Sequence, residues 1–246
     1  MDRMLYVAMS GAKQVMLAQQ VNTNNLANVN TTGFRADLEA FRSLPVYGPG
    51  YPSRVYAVTE RPGTDLLSGS FATTGRNLDV AVNGEGWIAV QASDGSEAYT
   101  RAGDLRVTVN GQLETGAGRP VLGNGGPVSI PPFENLEIGA DGTISIRPIG
   151  QPANALAVVD RIKLVNPPLA QMEKGVDGLM RVKSGQVAAP DAAVRLASGV
   201  LESSNVNAVE AMIRMIELGR EFESQIKMMR VAQENDAASA QMMRMA

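Results

Sequence analysis

Cysteine and histidine are both absent from this 246-residue sequence. The first absence excludes disulfides and thiol nucleophiles, and the second removes the side chain best suited to acid–base work near neutral pH. Together they take away the commonest transition-metal ligands. Aromatic residues are scarce, at 4%, with one Trp, five Tyr and five Phe, so burial must rely on small aliphatics and the core should be thin or discontinuous. Charge of one sign is lacking too: a net charge of -3 and a pI near 5.2 offer no long-range attraction for nucleic acid or anionic lipid. No apolar run reaches the ~18 residues of a membrane-spanning helix. The apolar stretch Met4 to Met9 is short, precedes no convincing cleavage site and runs into polar Gln19 to Asn30, unlike a secretory signal. Without cysteine the redox compartment stays open.

Carboxylates, lysines and serines remain as candidate catalysts. Asp94, Glu97 and Asp104 lie close in sequence, but Asp94 with Gly95 reads as a hairpin tip and all three as exposed turn or strand-flank residues. Asp141-Gly142-Thr143 lacks the alternating ligands of a calcium loop, and Gly123-Asn124-Gly125-Gly126 lacks the Lys-Ser/Thr of a phosphate loop. The expectation is no catalytic, cofactor-binding or metal site, no small-molecule substrate, and a protein that is not an enzyme.

What the chain does contain is two ends built alike. Leu5, Ala8, Ala12, Val15, Gln19, Asn22 and Leu26 recur at helical 3-4 spacing, and so do Met212, Met215, Gly219, Phe222, Ile226 and Met229. The first helix is expected over residues 3–28, with five Asn from Asn22 to Asn30 weakening its end, because Asn competes for its own backbone. Asn207 followed by Glu210 predicts the start of the second, with Glu210–Arg214 and Glu223–Lys227 as i,i+4 pairs. Helices with one apolar stripe need partners, and ends that cannot bury their own stripes suggest disorder before assembly. Seven of the 13 methionines fall in the last segment, Met212, Met215, Met228, Met229, Met242, Met243 and Met245, where flexible side chains suit an adaptable interface. Five basic against six acidic residues from Asn207 onward argue against a membrane-surface helix.

Residues 31–75 carry Pro45, Gly48, Pro49, Gly50, Pro52, Pro62 and Gly63 and predict an extended connector with little regular structure. Strands begin near Asp79–Val82 and Trp87–Val90, and turn signals at Asn83–Gly86, Asp94-Gly95, Asn110-Gly111, Gly125-Gly126 and Asp141-Gly142 predict a central antiparallel β domain. The expected division is a discontinuous helical domain of 1–30 and 205–246, the connector 31–75, and a β-rich domain of 76–204.

The run Asn24-Asn25-Leu26-Ala27-Asn28-Val29-Asn30-Thr31-Thr32-Gly33-Phe34 resembles the N-terminal signature of the bacterial flagellar axial family, the rod and hook proteins. Its C-terminal counterpart is similar at Gly199-Val200-Leu201-Glu202, Ser204-Asn205-Val206 and Glu210 to Glu223, although Ala211 departs from the usual Glu-Met. Leu78 to Ala81, Gly86-Trp87 and Asp94 to Arg101 extend the likeness across the chain, and the opening Met1 to Tyr6 is most similar to the proximal-rod branch. The resemblance implies an α+β fold whose long N- and C-terminal helices pair as an inner coiled-coil domain, with a connector over it and a β domain outward. It implies an assembly interface of Leu5, Ala8, Ala12, Val15, Asn24, Asn25, Leu26, Asn28, Gly33, Phe34, Asn205, Val206, Met212, Met215, Ile216, Phe222, Ile226 and Met229. The implied partners are further copies of the chain, other rod proteins and the flagellar type III export apparatus, without a cleaved signal and with the periplasmic rod of the basal body as location. No nucleic acid and no membrane insertion are expected. Alternatives are a distal-rod or hook-type subunit, or a cell-wall-binding β module.

Overall fold

The structure, a computed structural model, describes residues 4–45, 55–152 and 155–245. The expected opening at 1–3 and the Gly- and Pro-rich 48–52 lie outside the described residues. The chain divides into two compact units, one of Met1–Asn28, Asp37–Gly63 and Val206–Ala246, the other of Val29–Ala36 and Thr64–Asn205.

In the first unit, helix α1 (Met4–Ala27) buries Ala8, Ala12, Val15, Ala18, Val21 and Asn22. Its Asn-rich end holds because the Asn28 amide and side chain both bond back to the Asn24 carbonyl. Helix α2 (Ala208–Met245) starts where predicted: Asn207 Oδ1 accepts the Val209 and Glu210 amides at 3.1 and 3.3 Å, satisfying two otherwise orphaned donors. Arg214, expected to pair with Glu210, turns instead to Glu217 at 3.4 Å and Glu39 at 4.0 Å. The helices are antiparallel: Asn22 meets Ala211, Val15 and Ala18 cluster with Leu218, and Gly11 faces Gln225.

The expected coiled-coil domain is not what forms. The shared apolar cluster is short, Val15, Ala18 and Leu218 with Phe222 half-buried beside them. Leu5, Met212 and Ile226 of the expected stripe are exposed, while α2 buries Ala211, Leu218 and Ala232. The reason is size: half of the residues that α1 buries are Ala, so α2 comes in on Ala211, Leu218 and Ala232, while Met212 turns away and Met215 and Met229 stay half-buried.

Part of the expected connector is also regular. Strands β1 (Asp37–Pro45) and β2 (Val55–Thr64) form a two-stranded sheet. Leu38, Phe41 and Leu44 are exposed on β1 whereas Asp37 and Glu39 are half-buried, and because Phe41 falls on the opposite face from Leu38 and Leu44 there is no hydrophobic alternation to announce a strand.

The second unit is antiparallel throughout its named strand pairs. It runs through β3 (Phe71–Thr73), β4 (Val80–Asn83), β5 (Trp87–Gln91), β6 (Glu97–Thr100), β7 (Leu105–Val107), β8 (Leu113–Thr115), β9 (Phe133–Ile138) and β10 (Thr143–Pro148). β11 (Ala157–Arg161), β12 (Leu164–Val165), β13 (Met172–Lys174), β14 (Met180–Val182), β15 (Arg195–Ser198) and β16 (Val200–Glu202) complete it. The largest sheet has the order β12-β5-β6-β14-β13, a second has β11-β10-β9, and the last strands return to the first as the pairs β15–β4 and β16–β3. Alternation on β5 builds two cores. Ile88 and Val90 join Val80, Val82, Leu105, Leu113, Ile144 and Ile146, while Trp87 and Ala89 join Tyr99, Val165, Met172 and Met180. At the β5–β6 tip Asp94 Oδ1 accepts from the Ser96 amide at 2.9 Å, and Gly95 takes the left-handed conformation the turn needs.

Candidate assembly interface

The terminal helices supply the first set of candidate residues. Ala8, Ala12 and Val15 are buried in the helix contact, and Asn22 Nδ2 donates to the Ala211 carbonyl at 2.8 Å. Asn25 is tied to β1 twice, its Nδ2 donating to the Asp37 carbonyl and its Oδ1 accepting the Asp37 amide, both at 2.9 Å. Asn24 is exposed; Leu26 and Asn28 are half-buried. On α2, Met215, Phe222 and Met229 are half-buried, whereas Met212 and Ile216 stand 53% and 58% exposed next to Val209 and Ile213. These four occupy one face over two turns, so Ala211 and Leu218 serve the helix pair and the neighbouring face carries an unpaired apolar strip.

Glu39 lies in the same unit, against α2. Burial raises its carboxyl above the ordinary range, Arg214 pulls it back, and Glu221 adds to the rise.

In the second unit the signature residues meet one another. Gly33 adopts φ 65° and donates its amide to the Glu202 carbonyl at 2.8 Å; a Cβ at Gly33 would overlap the Arg101 backbone, which is why this position is Gly. Asn205 Oδ1 accepts the Ala36 amide at 2.8 Å while its Nδ2 donates to the carbonyls of Asp65 and Leu67 at 3.0 and 3.1 Å. Val206, with which the chain re-enters the helical unit, is half-buried. Phe34 carries the Lys174 ammonium 4.0 Å from its ring centroid, and the same Nζ donates to the Arg35 carbonyl at 2.7 Å.

At the centre sits an ion triad that sequence patterning did not reveal. The Glu202 carboxylate pairs with Arg35 at 2.6 Å and Arg101 at 3.1 Å, and all three side chains are at most 5% exposed. Both guanidinium groups also lie over the single Trp87, at 5.8 and 5.2 Å from its ring centroid. Arg101 has further acceptors in the carbonyls of Val82 and Gly84, whereas Arg35 Nε and Nη1 have no acceptor. Burial pulls the Arg101 guanidinium below its ordinary pKa, and Glu202 opposes that pull. The only signal for the triad in the sequence is its setting: Arg35 directly follows one signature and Glu202 lies inside the other.

The carboxylates first considered for chemistry are engaged separately. Asp94 is held below the ordinary range by Ser96, Glu97 pairs with Lys163 at 2.7 Å, and burial raises Asp104. Among the described residues no acidic group of three or more is arranged to hold a metal ion, and no helix is long and apolar enough to cross a membrane.

Three family models match successive parts of the chain. Residues 5–35 match "Flagella basal body rod protein", 81–146 match "Flagellar hook protein FlgE/F/G D1 domain", and 197–242 match "Flagellar basal body rod FlgEFG protein C-terminal". The chain is 43% identical to the flagellar basal-body rod protein FlgF of Escherichia coli over 251 residues, covering 100% of both sequences. It is equally similar to FlgF of Salmonella typhimurium, at 43% over the same length and coverage. Similarity to FlgG of Bacillus subtilis is lower, 32% over 257 residues, covering 95% of this chain and 96% of that one. With signatures, middle and full length all matched, the chain belongs to the family of flagellar basal-body rod proteins and is FlgF-like within it.

Proposed function

We propose that this chain is a structural subunit of the flagellar basal-body rod, assembling with other rod components. The observation that carries the assembly reading is the exposed strip Val209, Met212, Ile213 and Ile216 on the face of α2 left over after Ala211 and Leu218 have been used against α1. Burying one such side chain contributes roughly 1.5 to 3 kcal/mol, so a strip repeated on every subunit favours polymerisation. Heterologous contacts of this kind propagate without closing. Full-length identity to FlgF above that to FlgG favours the proximal rod over the distal rod or hook.

In this reading the terminal residues 1–30 and 205–246 carry the assembly contacts, with the signature positions from Asn24 to Phe34 and Asn205–Val206 supporting them, 31–75 is the connector, and 76–204 is the β-rich domain. Neighbours are further copies and other rod proteins, and torque passes through packing without chemistry. Delivery is through the flagellar type III apparatus without a cleaved signal, to the periplasmic rod of the basal body. Ile216→Asp tests it: Ile216 is exposed, so the variant should fold as the parent does, by circular dichroism, yet fail to incorporate into basal bodies and fail to restore motility. Normal incorporation would remove the strip from the interface.

A further inference from the structure

Glu202 receives bonds from three distant parts of its unit. Arg35 follows the N-terminal signature, Arg101 follows β6, and the Gly69 amide donates to the same carboxylate at 3.1 Å, while the Glu202 carbonyl accepts the Gly33 amide. Gly69 can come so close because it has no Cβ; one there would overlap the Ser203 carbonyl oxygen. Among the described residues neither guanidinium forms an ion pair with any other carboxylate. Without Glu202, Arg35 keeps only the face of Trp87, because its Nε and Nη1 have no acceptor. Two buried cations without an anion are strongly unfavourable, whereas uncharged side chains of similar volume are tolerated there. The carboxylate arrives on β16, the last strand, which pairs with β3 as β15 pairs with the core strand β4.

We propose that Glu202 is a folding latch: the β unit closes, and the 29–36 segment gains its seat, only when the last strand brings this carboxylate to Arg35 and Arg101. The device works within one chain and does not depend on polymerisation. Until residue 202 is in place, Arg35 and Arg101 favour solvent, and the Trp87 core they cover stays open. Charge, not shape, sets the condition.

Two full-length variants test this, Glu202→Gln and the uncharged triple Arg35→Met/Arg101→Met/Glu202→Met, read by amide hydrogen exchange and by fluorescence of Trp87, the only Trp. In Glu202→Gln, exchange at β3, β4, β5 and β16 should accelerate together by about a hundredfold or more and Trp87 emission should move to the red. The triple variant should return to within about tenfold of the parent. Acceleration confined to β3 and β16, with β4 and β5 unchanged, would make Glu202 a local contact and overturn the latch. So would a triple variant as open as Glu202→Gln. If Glu202→Gln does not fold at all, the triple variant decides alone: recovery of exchange protection supports the latch, and failure to recover overturns it.

Discussion

Asn22 is a polar side chain in the buried stripe of α1, and the partner that explains it lies 189 residues away, at the Ala211 carbonyl. A hydrogen bond of this sort contributes about 0.5 to 1.5 kcal/mol net, and truncation also leaves a small void between the helices. Asn22→Ala should therefore lower the stability of the helical unit by about 1 to 2 kcal/mol, read as a lower urea midpoint at the helix band. An unchanged midpoint would mean the bond contributes nothing. Tyr99 makes a second residue-level case. Burial pushes its phenol up to about 12, and its hydroxyl oxygen accepts the Ala188 amide. The unfolded chain ionises Tyr near pH 10, so the folded state holds this proton more tightly, and the associated stability is complete below about pH 10 and lost as pH rises toward about 12. Tyr99→Phe should flatten that part of the stability profile relative to the parent; identical slopes above pH 10 would exclude Tyr99 as the source.

At the level of elements, the helix contact separates what periodicity can and cannot say. Leu218 is fully buried and Met212 half exposed, although the 3-4 stripe places Met212 in the seam and omits Leu218. Leu218→Ala should cost about 2 to 5 kcal/mol, while Met212→Ala should change stability by no more than about 0.5 kcal/mol, measured by thermal unfolding of both variants. A reversal of that order would restore the stripe. Both helices and the Asn207 cap were legible because capping and 3.6-residue periodicity are local properties. The β turns were legible for the same reason, since Asp94-Gly95 and its like specify backbone conformation within four residues. β1 was not, because its apolar residues Leu38, Phe41 and Leu44 recur every third position and are divided between the two faces of the strand, so no alternation marks it. The face of α2 was not, because which small residues approach depends on the Ala surface of α1. The triad was not, because nothing local links Arg35, Arg101 and Glu202; they meet only once the last strand has returned to the first.

At the scale of the whole molecule, the chain passes between its two units four times, and each unit needs segments from both halves of the sequence. Contacts of such long separation form late and slowly, so apolar surface is exposed for longer than in a locally connected fold. Some of that surface stays exposed in the folded chain: Val209, Met212, Ile213 and Ile216 form an apolar strip along one face of α2. If this strip drives association, the attraction is hydrophobic, and its dependence on salt has a definite sign. Sulfate strengthens apolar burial, whereas screening by salt weakens contacts between exposed charges. The purified chain should therefore self-associate with rising concentration in sedimentation velocity, more strongly in sodium sulfate than in dilute buffer, and Ile213→Asp should abolish the sulfate effect. Association that weakened with salt would assign the contact to charged residues instead, and association indifferent to Ile213→Asp would move it to another face of the helices.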